Sequence, residues 1–242
     1  MFKEQGNNPE LEKEKKIKTK EILTLKSAVA ELIDEMKDKI EAGKYSLIIG
    51  DESSGRIPTL LINKVISKIY EENGLEKPKI VFLAGNNPGK AAADYVEVLD
   101  DFFKEHKIEF PDKDHGALIS TEYILSGTRL KPLTQMLRDR NVEYEIACAN
   151  KLEDDDYNDL SLEELETILG GKIYSASIDA GSAFWRRPDM SGTSRKSLIK
   201  MEPLTKRADK DYFDSEKLKI VREDIEIASE EIFEEYKAKR NS

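Results

Sequence analysis

Two short stretches of the chain combine glycine, hydroxyl and charged residues in a way that suits phosphate. The first is Thr121-Glu122-Tyr123-Ile124-Leu125-Ser126-Gly127-Thr128-Arg129, which follows the apolar run Ala117-Leu118-Ile119 and precedes a helical pattern. A strand feeding a helix through such a turn aims successive backbone N–H groups, here those of 125–129, at one spot where the helix dipole also favours an anion. Gly127 permits close approach, and the hydroxyls of Ser126 and Thr128 are further donors. The second stretch is Gly50-Asp51-Glu52-Ser53-Ser54-Gly55-Arg56-Ile57-Pro58. It repeats the combination of hydroxyls, glycine and a helix start, and adds Arg56, whose planar fork matches phosphate oxygens in pairs. A carboxylate from Asp51 or Glu52 suits magnesium, directly or through water.

Other reactive residue types are sparse. Cys148 sits inside an apolar run and reads as a small buried hydrophobe rather than a nucleophile. His106 and His115 have no Cys or His at ligand spacing, so no structural metal site is expected and both belong to a loop or a helix surface. The acidic run at 153–156 reads as a solvated loop. Phe184, Trp185, Arg186 and Arg187 lie beyond the last strand-like segment, where the aromatics either stack on a flat ligand or pack the tail onto the sheet.

The elements that must position these residues follow from periodicity. Strand-like segments at 45–50, 79–84, 117–121, 144–149 and 172–178 alternate with helical stripes. Helices are expected over 25–43, 57–70, 92–103 and 130–140, the last with a late or irregular first turn because Pro132 lacks an N–H. Ser161 and Glu164 have capping-box spacing before a short helix closed by Gly170-Gly171. A last helix at 215–239 carries Leu218, Val221, Ile225, Ala228, Ile232 and Tyr236 on one face, to cover the core or meet a second subunit. Such alternation specifies an α/β fold: a doubly wound, mainly parallel five-stranded sheet flanked by helices, with helical extensions at both ends. The chain divides into a charged arm at 1–20, an α/β core at 21–180 and a tail at 181–242. Ligands of such sheets sit beyond the carboxyl ends of the strands, at the loops after Gly50, Ala84 and Thr121.

Composition narrows the setting. The 242 residues carry a formal charge of −10, which opposes indiscriminate nucleic-acid binding, and the apolar runs are too short for a membrane span. With one cysteine and no signal-like opening, a cytoplasmic location is expected.

The segment 121–129 resembles the motif of the type I phosphoribosyltransferases that binds phosphoribosyl pyrophosphate (PRPP): a hydrophobic strand, two acidic residues, two apolar residues and a small-residue turn opening a helix. Glu122 matches the second acid, Tyr123-Ile124 the apolar pair and Ser126-Gly127-Thr128 the turn, while Thr121 replaces the first acid. The resemblance covers about 25–178. It implies that Leu125, Ser126, Gly127, Thr128 and Arg129 hold the 5′-phosphate and that Glu122 engages the ribose. It further implies that Ser53, Ser54, Gly55 and Arg56 hold the pyrophosphate, with Mg2+ entering with PRPP and no direct protein metal site. Phe184 and Trp185 are then candidates to face the base. The implied activity is transfer of phosphoribose to a nitrogen nucleophile such as a nucleobase, with a homodimer as a possible assembly. The alternative is a non-catalytic PRPP- or nucleotide-binding module on the same fold, which Thr121 favours.

Overall fold

Along each central strand, successive side chains are claimed by opposite sides of the sheet. Leu47 and Ile49 face one core while Ile48 faces another, and Ala117 and Ile119 oppose Leu118 in the same way. A strand apolar on both sides must be covered on both sides. The computed structural model, which describes residues 16–83, 92–124, 126–151, 160–176, 188–191, 193–194, 206–207 and 214–241, has that architecture.

The strands are β1 (Tyr45–Asp51), β2 (Lys79–Leu83), β3 (Gly116–Ile124), β4 (Glu143–Lys151) and β5 (Lys172–Ser175). They pair in the order β2-β1-β3-β4-β5, every neighbour parallel. The expected doubly wound, parallel five-stranded sheet is therefore present. The chain leaves β1 for β2 at one edge and returns to β3 on the other side of β1. The topological switch point thus falls between the ends of β1 and β3.

One core lies between the sheet and α1 (Lys20–Glu35), α2 (Lys37–Glu41), α3 (Glu52–Glu72) and α8 (Ser215–Arg240). The other lies between the sheet and α4 (Ala92–Glu105), α5 (Lys131–Asp139) and α6 (Leu162–Leu169). A short α7 (Pro188–Ser191) and the antiparallel pair β6 (Thr193–Ser194) and β7 (Lys206–Arg207) complete the described elements. Among the described residues no helix is long and apolar enough to cross a membrane.

Several boundaries depart from the sequence reading. The helix expected at 25–43 is two helices that meet at Met36, and Gly43, at φ 69°, ends the second. β3 runs on through Glu122, Tyr123 and Ile124, so these residues belong to the strand rather than to a loop. The segment 50–58 is not a loop: β1 ends at Asp51 and α3 begins at Glu52. α3 thus starts before the helix expected from residue 57, with Gly55, expected in the loop, and Pro58 both inside it. Gly55 is accommodated because a Cβ there would meet the Ser120 carbonyl oxygen at 3.1 Å, so its absence lets the helix pass close over β3. The late start anticipated for the helix after Gly127 is real: α5 begins at Lys131 with Pro132 in its first turn, where a missing N–H costs nothing.

The capping box at Ser161 forms in full, with Glu164 N–H donating to the Ser161 hydroxyl at 3.2 Å and Ser161 N–H donating to the Glu164 carboxylate at 2.7 Å. The face of α8 left open between core and second subunit is a core face: Val221, Ile225, Ala228, Ile232 and Tyr236 are buried with α1 and α3.

Candidate functional site

β1 and β3 are neighbours in register, with Gly50 beside Ser120, so Asp51 and Thr121 emerge side by side at the switch point. Thr121 donates its hydroxyl to Asp51 Oδ2 at 3.1 Å, both residues being buried. This bond explains why Asp51, although it stands at the N-cap of α3, caps no helix N–H: its carboxylate is turned to the neighbouring strand. The next residue on β3, Glu122, is also buried. On the other side of Thr121 in the sheet lies Cys148, whose thiol donates to the Asn150 carbonyl at 3.2 Å. Burial pushes the Cys148 thiol up to about 12, and the charges of Glu122 and Asp51 push in the same direction. The carboxylate beside Thr121 therefore comes from β1. Sequence reading assigned Asp51 to magnesium alone and missed this pairing with Thr121, which arises from strand order and not from spacing along the chain.

Beyond β3 the chain makes a tight turn before α5. Gly127 adopts φ 67°, and its carbonyl accepts from Leu130 N–H at 2.9 Å and Lys131 N–H at 3.2 Å. A side chain at Gly127 would meet Leu169 at 3.2 Å as well as adopt a left-handed backbone. The hydroxyls of Ser126 and Thr128 are 2.6 Å apart, one donating to the other. The N–H groups of Leu130 and Lys131 are thus used within the turn. Asp51, Ser126, Gly127, Thr128 and Arg129 line one cavity of about 100 Å³.

The remaining expected site residues divide. Ser53, Ser54 and Gly55 form the first turn of α3, at the same edge of the sheet. Arg56 is half-buried, with its guanidinium 4.4 Å above the Phe82 ring, and is not among the residues lining the cavity of the Gly127 turn. Leu125, Phe184 and Trp185, the residues after Ala84 and the acidic run at 153–156 lie outside the described residues. His106 is exposed and packs against Phe102 with ring centroids 4.3 Å apart, and the half-buried His115 bonds Asp112 at 2.8 Å. Among the described residues no three His, Cys, Asp or Glu side chains converge as a metal site.

A wider cavity of about 450 Å³ opens at the opposite, amino edge of the sheet. Its cations are matched: Lys39 pairs with Glu145, Lys44 with Glu143 at 2.7 Å, and Arg138 bonds Tyr144 and the Leu169 carbonyl. Glu145 is further held by the hydroxyls of Tyr45 and Tyr174.

Fold and site together define a doubly wound α/β protein with a small-residue turn and a carboxylate at its switch point. Among solved structures the chain is similar to a purine phosphoribosyltransferase from Pyrococcus horikoshii Ot3, at 14% identity and a TM-score of 0.36, over 63% of this chain and 87% of that one. No protein-family model matches the chain, and no curated protein matches it significantly in sequence.

Proposed function

We propose that the protein binds PRPP at the switch point and transfers its phosphoribosyl group to a nitrogen nucleophile, such as a nucleobase, with release of pyrophosphate. The observation that carries this reading is the shared cavity: the Asp51 carboxylate, bonded by Thr121, lines the same space as Ser126, Gly127, Thr128 and Arg129. A sugar phosphate needs donors for its phosphate and acceptors for its hydroxyls within a few ångströms, and this cavity offers both. In the reaction the C1′–oxygen bond to pyrophosphate breaks while a bond forms from C1′ to the nucleophilic nitrogen. Arg129 and the turn hold the 5′-phosphate, Glu122 and Asp51 orient the ribose, and the start of α3 with Arg56 stabilises charge developing on pyrophosphate.

Magnesium, when bound with PRPP, neutralises the leaving group. Asp51 is a described carboxylate suited to hold it, and substrate oxygens would supply further ligands. Calorimetric titration with PRPP and magnesium, followed by pyrophosphate release assays over a panel of bases, tests the proposal. Binding with release supports it, and absence of PRPP binding overturns it. A second reading, a PRPP- or nucleotide-binding module without turnover, is favoured by Thr121 at the first acidic position. Binding without release across the panel selects it.

A further inference from the structure

The cavity at the amino edge of the sheet, about 450 Å³, has the size of a small-molecule site. The first residues of β1, β3 and β4 line it, together with the ends of α2 and α5. Its two carboxylates are already taken up. Glu145, only 9% exposed, is held by the Tyr45 hydroxyl, by the Tyr174 hydroxyl at 3.3 Å and by Lys39. Glu143 pairs with Lys44 at 2.7 Å.

The third cation in the cavity, Arg138, is different: its partners are all neutral. Nη1 donates to the Tyr144 hydroxyl at 3.1 Å and to the Leu169 carbonyl, and Nη2 donates to the Gln135 carbonyl at 2.9 Å. Among the described residues no carboxylate pairs with Arg138, and its Nε–H and one Nη2 N–H have no acceptor. The backbone is shaped around this guanidinium. Gly170 adopts φ 73°, and a Cβ there would stand 2.5 Å from Nη1. Just past the end of α5, Asn141 adopts φ 54° and lines the same cavity, its side-chain amide without a partner among the described residues. A guanidinium fixed on one side and open on the other, beside a free carboxamide, is a receptor for a flat two-oxygen anion.

Charge and lining select the anion. Lys39, Lys44 and Arg138 against Glu143 and Glu145 leave one positive charge over, in a chain whose formal net charge is −10. A monoanion balances that excess, whereas a phosphate dianion would be repelled by the two glutamates. Ala117, Val142 and Tyr144 add apolar wall. We propose that this cavity binds a small organic carboxylate, its oxygens received by Arg138 and Asn141 and its apolar body set against Ala117 and Val142. The site is separate from the Gly127 turn and does not depend on the PRPP reading.

Benzoate and its neutral isostere benzamide, titrated into the full-length chain and followed by backbone amide NMR shifts, test this. Benzoate should saturate, with shifts concentrated at 138–145 and at Gly170, and benzamide should bind about tenfold more weakly or worse. Arg138→Gln should weaken benzoate about tenfold and leave benzamide unchanged, and Arg138→Lys should recover part of the loss. Asn141→Gly adopts the left-handed backbone without strain, so it keeps the fold and should weaken benzoate about threefold. No saturable benzoate binding, equal affinity for benzamide, or benzoate affinity unchanged in Asn141→Gly or in folded Arg138→Gln overturns the site. Shifts concentrated at 121–129 overturn it as well, by assigning the carboxylate to the switch point.

Discussion

At the scale of single residues, the turn at Gly127 makes the most direct demand. Its φ of 67° and the Leu169 side chain 3.2 Å from a would-be Cβ exclude branched residues. Gly127→Val should abolish ribose 5-phosphate binding while the melting transition remains cooperative, with a stability cost of about 1–2 kcal/mol for the left-handed backbone. Unchanged affinity would place the phosphate elsewhere. Cys148 makes a different prediction. Burial holds its thiol up to about 12, and burial likewise holds Tyr70 up to about 12. Both groups then stay protonated in the folded protein at pH values where the unfolded chain ionises. Their contribution is complete below the ordinary thiol range, near pH 8.5, and declines as pH rises from there toward 12. Urea unfolding midpoints should fall over that alkaline window, and Cys148→Ser should flatten the early part of the fall. Native Cys148 should also resist alkylation at pH 8 until the protein is unfolded. The residue types of this site were legible from the sequence. The bond from Thr121 to Asp51 was not, because it joins residues 70 apart through strand order.

At the scale of elements, the helix starts show what periodicity can and cannot deliver. The capping box at Ser161 is local, with every partner within three residues, and it forms as its spacing requires. The start of α1 is closed from a distance instead. Thr19, its N-cap, makes no side-chain cap; the backbone N–H groups of Lys18 and Thr19 donate to the Asp224 carboxylate at 3.0 and 2.7 Å. Asp224 sits fully buried on α8, so a residue that interrupts the apolar stripe of that helix is its anchor to α1. Asp224→Ala should cost about 1–3 kcal/mol, since it strands two donors, and Asp224→Asn less. Denaturant unfolding of the two variants checks the order. A neutral Asp224→Ala would mean that water takes over the cap. The same limit explains the segment at 50–58: Gly55 and Pro58 are weak helix formers locally, and only the close passage over Ser120 makes a helix the better solution there.

At the scale of the whole molecule, α8 decides whether the chain is an α/β core with an appendage or one cooperative unit. The sequence showed the stripe on this helix but not its partner, because an apolar face of that width serves a core or a subunit interface equally well. In the structure it packs on α1 and α3, in the core that also holds Tyr45, Ile48, Leu118 and Tyr174 from the sheet. Removing 214–241 would take Leu218, Val221, Ile225 and Ile232 from burial at about 1.5–3 kcal/mol each, and would uncover the faces of α1 and α3 that they touch. That sum is comparable with the whole stability of a domain, about 5–15 kcal/mol. A chain ending at residue 213 should therefore lose its cooperative urea transition and bind a hydrophobic dye, with pyrophosphate binding lost alongside. If it instead unfolds cooperatively near the parent midpoint, α8 is an appendage, and its ion pairs with Lys26, Lys64 and Lys68 are surface decoration on a core that stands without them.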